Sequence, residues 1–143
     1  MSEYRQQGLI AAPIERVWSL VGNPGGYPDW FPRVLEVRGD VFDVGTIYTQ
    51  VTRNPLGSRT TSLQIDELED MRSLRFHCLD TGLFANWVLT PAQSSTFVDA
   101  EFGMAPATLG NRLFDATAGR TYFRRWLEET FQALERAAAA VEA

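Results

Sequence analysis

The side chains able to do chemistry are few. The 143-residue chain holds one histidine and one cysteine, His77 and Cys78, side by side. Both fall in a run that reads as a β-strand, where successive side chains point to opposite faces, so they cannot share a metal ion. The same parity denies Cys78 the activating base it would need as a nucleophile, and no G-x-S-x-G turn offers a serine. Cys78 is expected as a small core residue and His77 on the outer face. All thirteen basic residues are arginine. Without lysine there is no Schiff base and no Walker-type phosphate contact, so an anionic ligand has to be held by the planar fork of an arginine. No metal, cofactor or catalytic residue is expected from these side chains.

General acid–base work on a bound ligand needs a side chain within hydrogen-bond reach of the reacting atom. Tyr48, Arg59, Asn86, Arg112, Asp115 and Arg120 are of the right types, provided they face an interior space. The simpler reading of each is a solvated group or a structural hydrogen bond, and Asn111, Arg112 and Asp115 can serve merely to solubilise a first helical turn. No pair among them has a spacing that names a base.

These residues are carried by a clear order of elements. Residues 3–10 form a first strand. In "AAPIERVWSLVGN", Pro13 suits a first helical position, and Ile14, Val17, Trp18 and Val21 fall on one helical face before Gly22 stops the turn. "GNPGGYPDWFPRV" follows, too punctuated for a long helix but able to hold one turn around Tyr27 to Trp30. Six strands come next, at 33–39, 45–54, 58–68, 72–80, 84–91 and 95–104. Their connections are too short for parallel crossovers and fit antiparallel hairpins. Alternating sets such as Leu74/Phe76/Cys78 and Val98/Ala100/Phe102/Met104 mark strands with one buried face.

The remainder is helical, with Phe123, Leu127, Thr130, Leu134, Ala137 and Val141 repeating at four-three-four spacing. A continuous helix over 106–141 would measure about 54 Å, too long for a domain of this size. A break at Gly110 or Gly119 is therefore expected. One antiparallel sheet of about seven strands and one long helix to cover it define an α+β domain spanning residues 1–143. Bulky rings along that seam hold sheet and helix apart.

Composition excludes several classes. The net charge is -5, and apart from Arg124-Arg125 the arginines are not clustered, so nucleic acid is not expected as a partner. The first residues are polar, no apolar run approaches the eighteen or so residues of a membrane span, and a lone cysteine suits a reducing compartment. A soluble, cytoplasmic protein is expected, with homodimerisation left open.

The segment "IAAPIERVWSLVGNPGGYPDWFP", with Val17-Trp18 opening the first helix, Trp30 to Pro32 ending the second, and Val44-Gly45-Thr46 before the third strand, resembles the START-like superfamily. This group, which includes Bet v 1-like proteins, is also known for polyketide cyclases, dehydrases and lipid transporters. The likeness covers essentially the whole chain. It implies a helix-grip fold, in which a curved seven-stranded antiparallel sheet wraps a long C-terminal helix, with two short helices after the first strand. It also implies a cavity whose mouth is framed by residues 23–32, 53–58 and 80–85. "RNPLGS" occupies the gate position of the plant hormone receptors of similar fold without their gate sequence. Their carboxylate-anchoring lysine has no counterpart.

Within that frame Tyr27, Trp30 and Phe31 fall at the mouth, and Tyr48, Arg59, Phe76 and Trp87 on the sheet. Leu113 and Arg120 fall on the helical side. Together they form the candidate ligand-binding set. The expected function is binding of a small hydrophobic ligand, aromatic, polyketide-like or lipid-like, since such sites are concave, largely apolar and aromatic-lined. The enzymatic alternative is a cofactor-independent polyketide cyclase or dehydratase using the same cavity. A protein-docking module ranks last, because Arg75, His77, Asp99 and Glu101 place polar groups on the outer sheet face.

Overall fold

The computed structural model describes residues 2–54, 57–105 and 119–140. Leu113, Asn111, Arg112, Asp115, Gly110 and Val141, all invoked above, lie outside the described residues. Strand β1 (Ser2–Ile10) leads into helix α1 (Ile14–Val21) and a short 3-10 helix (Pro24–Asp29). Strands β2 (Val34–Arg38), β3 (Ile47–Asn54), β4 (Gly57–Glu69), β5 (Ser73–Cys78), β6 (Leu83–Ala92) and β7 (Ser95–Met104) follow. Helix α2 (Arg120–Ala139) comes last. The element order is the one read from the sequence, with strand ends shifted by up to two residues.

One detail differs. Pro13 is the N-cap of α1, in an extended conformation (φ -68°, ψ 159°), and not its first helical residue. Its ring fixes φ equally well for either position, so the sequence signal is the same. At the other end of α1, Gly22 donates its N–H to the Trp18 carbonyl at 2.8 Å. A Cβ at Gly22 would lie 2.4 Å from the Trp18 indole, so the absence of a side chain there serves packing.

The sheet is antiparallel throughout, in the order β1-β7-β6-β5-β4-β3-β2. Six strands form a meander, and β1 closes on the free edge of β7. Alternation fixes the two faces. One register row, Ile65–Phe76–Ala85–Phe102–Tyr4, crosses five strands on the inner face. The next inner row, Leu74–Trp87–Ala100–Gln6, crosses four. The outer face is polar: Arg5 bonds Asp99 (Nε to Oδ1, 2.8 Å), and Gln7 reaches the same carboxylate. His77 lies there too, 2.6 Å from Asp66, while Cys78 is buried on the inner side.

Helix α2 packs over β1, β7 and α1. It buries Phe123, Leu127, Thr130 and Leu134 as the spacing implies, and also Trp126, Phe131, Ala133 and Ala138. The approach to β1 is close: a Cβ on Gly8 would meet the Phe131 ring at 3.2 Å. Twenty helical residues span about 30 Å, enough to follow one side of the sheet. Over the inner face near β3 to β6, the 3-10 helix brings its rings against the sheet.

Candidate functional site

The site is assembled from the punctuated segment after α1. Pro24 starts the 3-10 helix, and the Phe31 N–H returns to the Tyr27 carbonyl at 2.7 Å. Arg33 then takes a left-handed conformation (φ 72°) that turns the chain into β2. This backbone is held against α2 from both sides. The Trp126 indole N–H donates to the Pro32 carbonyl at 2.8 Å. The Arg33 guanidinium lies over the Tyr122 and Trp126 rings, 4.9 and 5.7 Å from their centroids, and pairs with Glu129 at 3.1 Å. Stacking of a cation on two rings and the ion pair together offset the strain of a positive φ at a bulky residue.

So positioned, Phe31 becomes the hub of an aromatic cluster. Its centroid is 4.7 Å from Tyr27, 5.1 Å from Trp30, 5.9 Å from Phe102 in a near-parallel stack, 6.2 Å from Trp87 and 6.3 Å from Trp126. Such spacings are those of favourable offset and edge contacts. A cavity remains beside this cluster. Tyr27, Phe31 and Val34 form one wall, Phe76, Ala85 and Phe102 the sheet floor, and Gln50, Leu83 and Trp126 complete the lining. The floor explains the space: Ala85 places a single methyl between the rings of Phe76 and Phe102 in the same register row. The volume open to the centre of a water-sized sphere is about 10 Å³. That is room for about one water molecule.

The lining is apolar except at three residues. The Tyr27 hydroxyl donates to the Val21 carbonyl at 2.6 Å, and the Trp126 N–H is taken by Pro32. Gln50 is 5% exposed; its amide nitrogen reaches Thr52 Oγ1 at 3.1 Å, and its Oε1 has no partner among the described residues. Burial, with a lesser contribution from Tyr48, holds the Tyr27 phenol well above its ordinary pKa. Tyr48 is raised as well, first by burial and then by Cys78. Both phenols stay neutral at physiological pH, so neither is a base there. Among the described residues, no group of three His, Cys, Asp or Glu side chains could hold a metal ion.

Of the nine candidates from the sequence, Tyr27, Phe31 and Phe76 line the cavity. Trp30 is half-buried against Tyr27 and Phe31, with its indole N–H buried and unpartnered among the described residues. Trp87 is fully buried behind the lining, stacked on Phe131 at 6.3 Å. Tyr48 is buried two residues from Gln50, edge-on to Phe42, with its hydroxyl unpartnered among the described residues. Arg59 is exposed near the tip of the β3–β4 hairpin, opposite Thr52. Arg120 sits at the start of α2 over the Tyr4 ring, at 5.8 Å. Leu113 lies outside the described residues. Asn86, weighed above as a polar cavity group, belongs to the outer face between Arg75 and Glu101.

Sequence reasoning missed Gln50, Val34, Leu83, Ala85 and Trp126 as lining residues. For Gln50 the signal existed: it shares strand parity with Tyr48. Trp126 stands three residues after Phe123, within the same helical stripe.

The arrangement of sheet and helices recurs among solved structures. Residues 1–139 match the family described as polyketide cyclase / dehydrase and lipid transport, and the chain belongs to that family. A START superfamily protein from Mycobacterium smegmatis superimposes with a TM-score of 0.80 at 13% identity, over 99% of both chains. A protein from Thermus thermophilus gives 0.78 at 18% identity, again over 99% of each. The Zhui aromatase/cyclase from Streptomyces sp. R1128 gives 0.67 at 17%, over 95% of this chain and 90% of its own. At such identities the likeness speaks for the fold. No curated protein matches the chain.

Proposed function

We propose that the protein binds a small hydrophobic ligand, aromatic, polyketide-like or lipid-like, in the cavity between the sheet and the 3-10 helix. The observation that carries this reading is an aromatic-lined void, floored by Ala85, whose one amide side chain, Gln50, has a buried oxygen without a partner among the described residues. A buried polar atom without a partner costs about 1–3 kcal/mol, a cost that a bound polar group removes. The void itself is far below the several hundred Å³ of drug-sized sites. Entry of a ligand therefore requires a lining group to give way.

The Zhui aromatase/cyclase and the family description keep a cyclase or dehydratase reading in view. Turnover requires a titratable group at the reacting atom. Among the described lining residues that role falls to the Tyr27 phenol, already committed to Val21, so retention of the ligand is the better-supported role.

The test fills the void. Ala85→Val adds two methyl groups to the floor, a small-to-large change that costs about 1–3 kcal/mol in stability. A panel of aromatic and acyl compounds is screened by thermal shift and native mass spectrometry on the wild type and on Ala85→Val. Ligands that stabilise the wild type should lose at least tenfold in affinity on the variant. Equal binding to both, or no binding across the panel, sinks the proposal.

A further inference from the structure

The two edges of the sheet are finished differently. The β2 edge is five residues long, and its register against β3 shifts between Val34 and Glu36, so the ladder is interrupted there. Its charges, Glu36 and Arg38, pair with each other at 2.9 Å. A short strand and a bulge are two of the means by which sheets keep an edge from pairing. The β1 edge has neither. It runs nine residues without proline, in unbroken register from Ser2 opposite Met104 to Ile10 opposite Thr96. Among the described residues its backbone bonds only to β7, apart from the turn bond from the Ala12 N–H to the Ile10 carbonyl. A long regular edge of this kind is a template for another strand.

The charges on β1 say which strand fits. Glu3 and Arg5 share the outer face, two residues apart and both exposed. Arg5 grips Asp99 through Nε and Nη2, which leaves its Nη1 without a partner among the described residues. Glu3 is in no ion pair among those residues. The group it meets is another carboxyl, that of Glu101, whose pKa is raised by burial and then by Glu3. An edge with an unpaired acid at one position and a free cationic donor two positions on is complementary to itself. Run antiparallel, the acid of each strand stands opposite the cation of the other.

We infer that the β1 edge is an interface for a second copy of this chain, the two strands pairing antiparallel about a two-fold axis at Tyr4. Glu3 of each copy then faces Arg5 of the other, and the two seven-stranded sheets join into one. Side chains directly opposite each other on paired strands have Cβ atoms about 4.5–5.5 Å apart, within reach of an ion pair. A pairing centred on Gln6 would overlap more residues, but it sets Glu3 against Leu9 and Arg5 against Gln7, with no ion pair. The same patch serves both copies, so the contact closes at two. Few residues take part and the ion pairs are exposed, so the dimer is weak and salt-sensitive. None of the cavity-lining residues is on β1, and the inference stands apart from the ligand reading.

Sedimentation velocity and light scattering on the full chain, over about 10 μM to 1 mM, measure the association. At low salt the wild type should approach twice the mass of one chain at the upper end of that range. In about 0.5 M salt, where screening is strong, it should return to the mass of one chain. Arg5→Glu and Glu3→Arg each set like charges against each other across the seam, and each variant should stay monomeric. Mixed one to one, the two variants should form a heterodimer, because every acid again meets a cation. The double change Glu3→Arg with Arg5→Glu should restore the wild-type mass. Glu36→Arg, on the other edge, should leave self-association unchanged. Arg5→Glu also loses the bond to Asp99, so circular dichroism checks its fold. Glu3→Arg keeps that bond and decides by itself if Arg5→Glu does not fold. A wild type that stays monomeric over the whole range overturns the inference. So does a dimer that survives both single changes, or a mixture of the two folded variants that stays monomeric.

Discussion

Replacing Tyr27 with phenylalanine removes one oxygen atom and tests how the loop after α1 is held. The Tyr27 ring is fully buried and keeps its neighbours in the variant: Phe31 at 4.7 Å, Trp30 edge-on at 5.8 Å and Phe76 at 6.3 Å. What is lost is the 2.6 Å bond to the Val21 carbonyl. That carbonyl belongs to the last residue of α1, where the helix no longer supplies partners. The variant therefore forfeits about 1 kcal/mol of net hydrogen bonding and leaves a buried acceptor wanting, for a total of about 2 kcal/mol. For a domain of this length that corresponds to a fall in Tm of roughly 6–8 °C. Urea unfolding followed by tryptophan fluorescence measures it, and Cm should drop with the m-value unchanged. Ligand affinity should change less than twofold, because this hydroxyl is committed to the backbone. A variant within about 0.5 kcal/mol of wild type would refute the argument that the hydroxyl anchors the loop. So would a large affinity loss at unchanged stability.

Further outcomes follow from the same contacts. Tyr27 and Tyr48 both have raised pKa values in the folded state, from burial above all. Their contribution to stability is complete below pH 10 and is lost as pH rises from there toward the folded values. Stability should thus decline above pH 10 by up to about 1.4 kcal/mol per pH unit for each phenol, and Tyr27→Phe should flatten the decline in alkaline urea titrations. Gly22→Ala forces a methyl into the Trp18 indole and should cost about 1–3 kcal/mol by the same unfolding assay. Trp126→Phe loses the bond to Pro32 and weakens the seat of Arg33; it should lower stability by about 1–2 kcal/mol and speed hydrogen exchange over residues 24–34.

Much of the architecture was legible because it depends on short-range periodicity. The strand runs, their short connections and the helical stripe identified an antiparallel sheet with one long helix, and the family segment gave the same order. The outer and inner faces followed from parity: Arg75, His77, Asp99 and Glu101 outside, Leu74, Phe76 and Cys78 inside. The punctuated segment between Gly22 and Val34 was recognisably unusual because a connector has no need of Tyr27, Trp30 and Phe31 together.

The roles within that segment were decided only by the tertiary structure. A sequence shows that three rings occur in succession, but their distribution depends on how a 3-10 turn meets a sheet and a helix far away in the chain. The result is Tyr27 anchored to Val21, Phe31 at the hub and Trp30 half-buried at the side. The cavity likewise depends on Ala85 standing between Phe76 and Phe102, residues on three different strands. No local pattern distinguishes an alanine that fills a core from one that leaves a gap. Gln50 is the clearest case: the sequence reading passed over it, and only the packed fold shows that it lines an aromatic void with one end of its amide unpartnered among the described residues.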